Sequence, residues 1–309
     1  MGRYILKRLG YMVVTLFVIV ALTFFTMKLL PGTPYKNQQK LSKEQIALLN
    51  HKYGLDLPLP VQFVKYIGNL LKGDLGISFQ FDGRSVNEII GDLLPVSADL
   101  GFEALVVGLI VGLILGIIAG VKRNTAWDYI TTFIAVIGVS VPSFVLAQLL
   151  QYYFAVKHQW LPVAYWDGPA YHVLPVIALA FGPIASIARY MRTSLVDNLN
   201  SDYIEMARAK GLSRFTVVFK HAVRNSLIPI VTIVGPMAVG LMTGVLVIEN
   251  IFAIPGIGDQ FVTSVYTNDY PMIMGTTIMF SVAFVVVILI VDILYGVIDP
   301  RIRVAGGEH

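Results

Sequence analysis

Long apolar runs without a charged residue alternate with polar connections along most of the chain. Six such runs occur, at residues 11–27, 104–121, 129–156, 173–188, 225–248 and 270–291. Each is close to the ~20 residues that an α-helix needs to cross the hydrocarbon core of a bilayer. Backbone N–H and C=O groups find no water partners in lipid, so a spanning segment of this kind must be helical. The pattern predicts an all-α integral membrane protein with six transmembrane helices.

The overall composition supports the same class. Of 309 residues, 56% are hydrophobic and 14% are charged, whereas a soluble domain has about 25% charged residues. The chain has no cysteine, which excludes disulfides, thiolate metal sites and cysteine nucleophiles. The first apolar run follows Arg3, Lys7 and Arg8 and ends at Lys28 without a small-residue cleavage site. We therefore expect an uncleaved first helix and not a signal peptide.

The placement of lysine and arginine predicts the orientation. These residues collect in the N-terminus, in the second and fourth connections and in the C-terminal tail. The third connection has only Lys157, and the fifth, residues 249–269, has none. Cytoplasmic connections are the ones enriched in lysine and arginine, so both termini are expected to be cytoplasmic. Residues 31–95 form an external segment, because a segment that long is translocated largely regardless of its charge.

The external segment is predicted to be helical. Ser42 and Ser85 each begin a capping-box pattern that starts a short helix. Between them, Pro60 opens a third helix that Gly73 closes. The apolar residues after Ser85 suit a helix that precedes Pro95 and lies along the outer interface, ahead of the second span. A small packed cap without lipid contact fits the same pattern, and both interpretations stay open.

Small and helix-breaking residues mark three of the spans. Gly108, Gly112, Gly116 and Gly120 follow one another at four-residue spacing, which predicts a helix-packing face in the second span. The third and fifth spans carry residues that kink helices or leave them slim. Such helices suit a moving translocation pathway, although inert bundles contain them too. The candidate pathway or hinge residues are Gly138, Ser140, Pro142, Ser143, Gly235, Pro236 and Gly240.

Ionisable residues at membrane depth are scarce. Glu103, Glu249 and Asp292 lie near the ends of spans, and no acid pair or basic ladder stands at mid-depth, where a proton- or sodium-coupled carrier usually has one. The five histidines lack a metal-binding spacing, and the sequence contains neither a nucleophile elbow nor a P-loop. We expect a chain that is not an enzyme and that holds no metal or cofactor. His172 and His221 are interpreted as loop or helix-end residues.

The cytoplasmic connection, residues 189–226, has a defined predicted shape. Asp202 and Glu205 give a capping-box-like start to a short helix. Gly211 suits the left-handed position that ends it, and Ser213 suits the cap of a second helix. A helix, a glycine turn and a second helix make a compact knob that projects from the bilayer.

This knob favours docking on a soluble partner, because Ala207 and Ala209 leave it slim enough to enter a groove. In a second interpretation, its basic residues only set the topology and contact lipid phosphates. A DNA-binding helix-turn-helix is disfavoured because both ends are tethered to the bilayer, and no nucleic acid partner is expected. The candidate docking residues are Asp202, Glu205, Ala207, Ala209, Gly211 and Phe215.

Several strings of the sequence resemble a known family over essentially the whole chain. Glu205-Met-Ala207-x-x-x-Gly211 resembles the EAA loop of permease subunits of ATP-binding-cassette (ABC) importers. Further strings resemble the oligopeptide/dipeptide permease B branch: PGTP from Pro31, YGLDLPLPVQ from Tyr53, GDLGISF from Gly73, HAVRNSLIP from His221, VIENIFAIPGIG from Val247, DYP from Asp269 and DILYGVIDPR from Asp292. The sequence departs from the general EAA pattern in two places. Met206 replaces an alanine, and the string from His221 replaces Ile-x-Leu-Pro, as it does in the peptide branch.

The resemblance implies a type I ABC importer permease in a bacterial-type cell membrane. It implies four kinds of partner: a homologous second permease, two ATPase subunits that bind ATP and Mg, an extracellular peptide-binding protein, and membrane lipid. The docking knob would transmit ATP-driven closure, and the external segment with the 249–269 connection would receive the binding protein. The implied parts are residues 1–95 (first helix and external segment), 96–298 (transmembrane domain with the coupling loop) and 299–309 (cytoplasmic tail).

The implied function is a membrane pathway for dipeptides or oligopeptides. Within the same architecture the solute is alternatively nickel, glutathione or another small compound. Outside the family, the alternatives are a stand-alone channel or a secondary carrier, against which the missing mid-membrane charges argue. An intramembrane enzyme is the remaining class, and it lacks a nucleophile or metal constellation in the sequence.

Overall fold

The computed structural model of the chain describes residues 2–35, 41–81 and 83–298. Within these ranges the structure is helical and has no strand beyond one isolated bridge between Ile77 and Ser85. The helices are α1 (Gly2–Met27), α2 (Lys43–Tyr53), α3 (Leu59–Leu70), α4 (Val86–Val121), α5 (Ala126–Ser140), α6 (Ser143–Leu150), α7 (Pro169–Leu199), α8 (Asp202–Ala209), α9 (Arg224–Ser226), α10 (Ile228–Met242), α11 (Leu246–Ile251), α12 (Ile257–Tyr266) and α13 (Tyr270–Ile298). Two π-helical segments extend this set: Gln151–Lys157 continues α6, and Thr216–Val223 leads into α9.

The predicted membrane spans correspond to helices of the structure. Four described stretches are long and apolar enough to cross a bilayer: Leu6–Met27, α4, α7 and Tyr270–Val291. Two bent helix pairs raise the number to six if each pair is one span. The first joins α5 to α6 and its continuation with a bend of 101°, and the second joins Thr216–Ser226 to α10 with a bend of 44°. The all-α membrane fold is confirmed, and the orientation of the termini stays a prediction.

One compact unit combines the described residues up to Pro95 with Ile257–Val286. In it, α1 packs on α3 and α13 through an apolar cluster that contains Phe24 and Met274. A second cluster joins the start of α4 to α12 and α13 through Ile89, Ile257 and Met272. Both clusters are aliphatic and aromatic, so burial of apolar surface holds these helices together.

The two predicted capping boxes of the external segment are confirmed. The Ser42 hydroxyl accepts the Gln45 N–H at 3.2 Å, and the Ser42 N–H donates to the Gln45 side chain at 2.8 Å. The hydroxyl of Ser85 likewise accepts the N–H of Glu88 at 3.2 Å. These contacts satisfy N–H groups that the first turn of a helix leaves without intrahelical partners.

The predicted short helix ahead of Pro95 is wrong in extent. Helix α4 runs without interruption from Val86 through Pro95 to Val121. A proline inside a helix removes one hydrogen bond and costs about 3 kcal/mol. Ile89 before the proline and Leu100 after it are both almost completely buried. Burial on both sides of the proline outweighs the local cost and keeps the helix continuous.

The second compact unit contains Val96–Gly256 and the described residues from Val287 onward. Helix α7 contributes to both of its cores, through Leu174 and Leu179 in one and through Met191 and Leu195 in the other. The glycine ladder of α4 lies against this helix. A methyl group at Gly116, for example, would lie 2.6 Å from the Met191 Cβ atom. The predicted packing face is therefore confirmed, and its partner is α7.

The bend of the fifth span lies at a position that the sequence did not indicate, and the predicted kink at Gly235-Pro236 stays a prediction. Helix α10 continues through Pro236, and the bend of this span lies at Leu227. The helix ends at Met242, shortly before Gly244, whose φ of +102° lies outside the helical region. The apolar run from 225 to 248 is therefore divided between α10 and the start of α11.

Candidate functional site

The cytoplasmic knob begins one residue earlier than the sequence indicates. Ser201 occupies the N-cap with extended backbone, and Asp202 is the first residue of α8. The Ser201 hydroxyl donates to the carbonyl of Asn198 at 2.5 Å, so it does not cap the helix. The expected capping-box role of Asp202 is corrected. Asp202 and Glu205 instead place negative charge in the first turn, where it stabilises the helix dipole.

The predicted glycine turn at the end of α8 is confirmed. Gly211 has a φ of +75°, a conformation that costs other residues energy. Its N–H donates to the Arg208 carbonyl at 2.9 Å, and the Leu212 N–H donates to the Ala207 carbonyl at 3.3 Å. This pair of bonds is a Schellman motif. Ser213 then caps the next helix by accepting the Thr216 N–H at 3.3 Å.

The knob has an inner and an outer side. Ile204 and Ala207 are buried in the core that contains Leu195, Val217 and Ala222. The Ala207 methyl group faces the chain's own core, and the expectation that the knob enters a groove of a partner stays a prediction. The other predicted docking residues are exposed: Asp202, Glu205, Ala209, Gly211 and Phe215.

Exposed aromatic surface follows the glycine turn. Phe215 is 71% exposed, and its ring centroid lies 4.6 Å from that of Phe219. Both rings line a shallow apolar cavity of about 350 Å³ together with Val121 and Val218. Aromatic surface of this kind is common at protein interfaces.

An ion pair with a buried acid joins the first turn of α5 to the C-terminal part of α7, and sequence reasoning missed it. Arg192 donates from Nε to Asp128 Oδ1 at 2.5 Å and from a terminal nitrogen to Oδ2 at 2.8 Å. The N–H of Asn124 also donates to Asp128, at 2.9 Å. Asp128 is only 2% exposed. The available signal was Asp128, a lone acid directly before the uncharged run 129–156. Local sequence patterns do not show that Arg192 of α7 lies next to it.

The third span breaks where the sequence indicated. Helix α5 ends at Ser140, Val141 has extended backbone, and α6 starts at Ser143 after Pro142. Gly138, however, faces α7, since a methyl group there would lie 2.6 Å from the Ala185 Cβ atom. Ser140, Pro142 and Ser143 are exposed in the chain, and their role as pathway residues stays a prediction.

The three candidates in the fifth span lie in different surroundings. Gly235 is buried, and a methyl group there would overlap the side chain of Val291 on α13. Pro236 is half-buried within α10. Gly240 is exposed, and a methyl group there would meet nothing within 4 Å. Gly235 is thus a packing residue, whereas the pathway role of Pro236 and Gly240 stays a prediction.

Two polar contacts at the ends of the second span involve acids noted in the sequence. Glu249 is 1% exposed and accepts the Ser97 hydroxyl at 2.6 Å and the Val245 N–H at 3.2 Å. His172 lies in the first turn of α7, 3.0 Å from Glu103. These contacts join α4 to α11 and α7, so they are structural links between helices.

Asp99, Glu103 and His172 bring potential metal-ligand atoms within 4.8 Å of one another. Glu103 and His172 are already hydrogen-bonded to each other, and the His172 ring stacks on Trp166 at 3.6 Å. We interpret the set as a polar contact between helix ends.

Hydrogen bonds join residues of the segment 31–95 to residues 267–269, just ahead of α13. Asp269 is completely buried and accepts the Ser78 hydroxyl and, at 3.0 Å, the Phe79 N–H. The side chain of Gln80 donates to the carbonyl of Thr267 at 2.9 Å, and the side chain of Asn268 donates to the carbonyl of Pro31 at 3.2 Å. These bonds fix the geometry of the external loops.

Family models match the two parts of the chain. The model described as "Binding-protein-dependent transport system inner membrane component" matches residues 112–304. The model for the N-terminal part of such components matches residues 1–101.

Curated relatives match almost the whole length. The dipeptide transport system permease protein DppB of Lactococcus lactis subsp. cremoris is 47% identical over 98% of this chain and 100% of its own length. DppB of Bacillus subtilis is 44% identical over 98% of each chain. The oligopeptide transport system permease protein OppB of Salmonella typhimurium is 41% identical over 98% of this chain and 100% of its own.

Solved structures share the fold. An inward-facing MetNI methionine ABC transporter gives a TM-score of 0.55 at 18% identity, covering 68% of this chain and 96% of that one. An amino acid ABC transporter crystallised with histidines gives 0.51 at 16% identity, covering 70% and 94%. These likenesses concern the fold alone, and they agree with the importer permease fold that the sequence resemblance implied.

Proposed function

The chain belongs to the family of binding-protein-dependent transport system inner membrane components, and from this premise we propose that its transported solute is a dipeptide or oligopeptide. It is a multi-pass permease subunit of the cell membrane and not an enzyme, since in ABC importers separate subunits hydrolyse ATP. The observation that carries the solute proposal is the match to dipeptide permeases over 98% of the chain, which includes the external segment.

The proposed assembly contains a second homologous permease, two ATPase subunits that hold ATP and Mg, and an extracellular peptide-binding protein. The knob supports this assembly because it exposes Glu205 and Phe215 while Ile204 anchors it from below. We assign docking on the ATPase to this exposed side. Ala207 contributes by fixing the knob on the core and not by touching the partner.

The helices around the knob suggest how a movement of the ATPase would reach the membrane. Helix α7 runs for 31 residues, about 46 Å at 1.5 Å per residue, and leads directly to the knob. The ion pair of Asp128 and Arg192 ties α5 to α7, and α5 ends at the break around Pro142. A shift of the knob would therefore move α5 together with α7, and the break would absorb the difference in α6.

The solute proposal is tested by uptake in proteoliposomes. The complex is purified in gentle detergent, and its subunits are counted by mass spectrometry. It is then reconstituted in vesicles with ATP inside and the binding protein outside. We expect two ATPase chains, a second permease, and ATP-dependent uptake of a labelled dipeptide. Uptake of nickel or glutathione with no peptide uptake would overturn the peptide proposal while keeping the family. Recovery of this chain alone would overturn the assembly.

A further inference from the structure

Helix α3 of the external segment has two apolar sides. One side packs on α1 and α13 through Phe63, Tyr66 and Ile67. The other side carries Val64, which is 69% exposed, and Leu71 at the helix C-cap, which is 84% exposed. Val61 and Gly68 belong to the same stripe, because residues three and four positions apart share a helix face.

The contacts of Phe63 place α3 at the depth of the membrane span. Its ring centroid lies 5.2 Å from that of Phe24 and 6.2 Å from that of Phe17, both on α1. Phe17 precedes the last helical residue, Met27, by ten positions, which is about 15 Å at 1.5 Å per residue. This depth is about half of a ~30 Å hydrocarbon core. Helix α3 therefore lies beside the outer half of the span and not above it.

Lysines surround this side of the molecule. Lys65 and Lys72 follow Val61 and Gly68 by one helical turn, so they lie along one edge of the apolar stripe. Lys28, Lys52 and Lys65 line a cavity of about 330 Å³ beside α3, and among the described residues that line it Asp74 is the only acid. Lysine side chains beside an apolar helix face extend to the level of lipid headgroups, where phosphates are.

We infer that α3 is a membrane-interfacial helix whose outer side is covered by phospholipid. Val61, Val64 and Leu71 contact acyl chains of the outer leaflet, and Lys65 and Lys72 reach the phosphate groups. The depth set by Phe63 favours lipid over water, and the flanking lysines favour a phosphate-bearing surface over an apolar protein surface. This inference does not depend on which solute is carried.

The test uses the absence of cysteine from the chain, so that an introduced cysteine is the single thiol of this chain, which is purified and labelled before assembly with its partners. Val64→Cys carries a nitroxide spin label, with Val61→Cys as a second position on the same stripe. Glu44→Cys, on the exposed first turn of α2, is the matched control. The assembled permease is reconstituted in vesicles of phosphatidylethanolamine and phosphatidylglycerol. Collisions of the label with oxygen and with a water-soluble nickel chelate are then measured.

We expect the ratio of oxygen to nickel collisions at Val64 and Val61 to be several-fold higher than at Glu44, because oxygen concentrates in acyl chains and the chelate is excluded. A ratio equal to that of Glu44 would place the stripe in water and overturn the inference. Low collision rates with both reagents would show that a protein covers the stripe, and would overturn it as well.

Discussion

Helix α7 makes two unlike contacts within one unit of the molecule. Toward α4 it packs on a ladder of glycines, with backbones and side chains in direct contact along four turns. Toward α5 it is joined by the ion pair of Asp128 and Arg192 and by the contact at Gly138. Helix α5 then ends at Ser140, where this span breaks. The difference is that α7 packs against an unbroken helix in α4, whereas its other partner span is interrupted at Pro142. We expect the interrupted span to be the one that bends.

Four substitutions test this comparison, ordered by their expected effect on folded stability. The largest effect is expected for Gly116→Leu, because a methyl group at this position already lies 2.6 Å from Met191 Cβ and 2.7 Å from the Ala188 carbonyl. Overpacking of this kind costs on the order of 3 kcal/mol, and thermal unfolding in detergent measures it. Gly91→Leu is the control, since a methyl group there meets nothing within 4 Å. Equal stability of the two variants would contradict a close-packed α4–α7 pair.

Arg192→Ala is expected to have the next largest effect. It leaves the buried Asp128 carboxylate without its guanidinium partner, which costs about 2–3 kcal/mol at a site where the arginine is partly exposed. Peptide uptake should fall more than ATP hydrolysis, because α5 no longer follows α7. Arg192→Lys keeps the charge but loses the two-pronged geometry, so it should retain part of the uptake. Equal losses of uptake and hydrolysis would contradict a linking role for this pair.

Gly211→Ala is expected to have a smaller effect on stability. The left-handed backbone at Gly211 costs an alanine about 1 kcal/mol, although the space around it is open. Tilting of the knob should weaken the capture of the ATPase subunits, measured as the ratio of ATPase to permease after purification. Gly68→Ala, at a helical position with open space, is the control. An unchanged ratio would contradict the docking role of the knob.

The smallest stability effect is expected for Phe215→Ser, within about 0.5 kcal/mol, because the ring is exposed. Its effect on ATP-driven uptake should nevertheless be clear, since an exposed aromatic ring beside the knob suits a docking contact. Phe133→Ser, an equally exposed phenylalanine on α5, is the control for loss of aromatic surface. If both variants transport equally well, Phe215 is not part of the docking surface.

Local features of the sequence predicted much of this structure. The spacing of Gly108 to Gly120, the left-handed turn at Gly211 and the break at Pro142 follow from backbone sterics and periodicity. Pro95 and Pro236 show the limit of that reasoning. Both are as disruptive locally as Pro142, yet α4 and α10 continue through them. Tertiary packing decides which proline breaks a helix, and local reasoning from a single sequence does not reveal that packing.

In the candidate site, too, features set by neighbouring residues could be predicted, and features set by distant packing could not. The exposed side of the knob could be predicted, because caps and turns depend on neighbouring residues. The inward side of Ala207 and the pairing of Asp128 with Arg192, 64 residues apart, depend on how distant helices pack. The side chain of Asp292 and the tail 299–309 lie outside the described residues, so predictions about them stay untested.

The buried bond between Ser78 and Asp269 has a consequence for biogenesis. Its two residues are 191 positions apart, and translation at 5–20 residues per second needs about 10–40 s to synthesise the chain between them. In the predicted orientation, the external segment reaches the outside of the membrane during that interval, before Asp269, the acid that binds it, has been synthesised. The loops of this segment lack the hydrogen bond, and stay accessible to proteases, until Asp269 ahead of α13 has emerged. A ribosome stalled before Asp269 would therefore yield a protein that is inserted but open on its outer side.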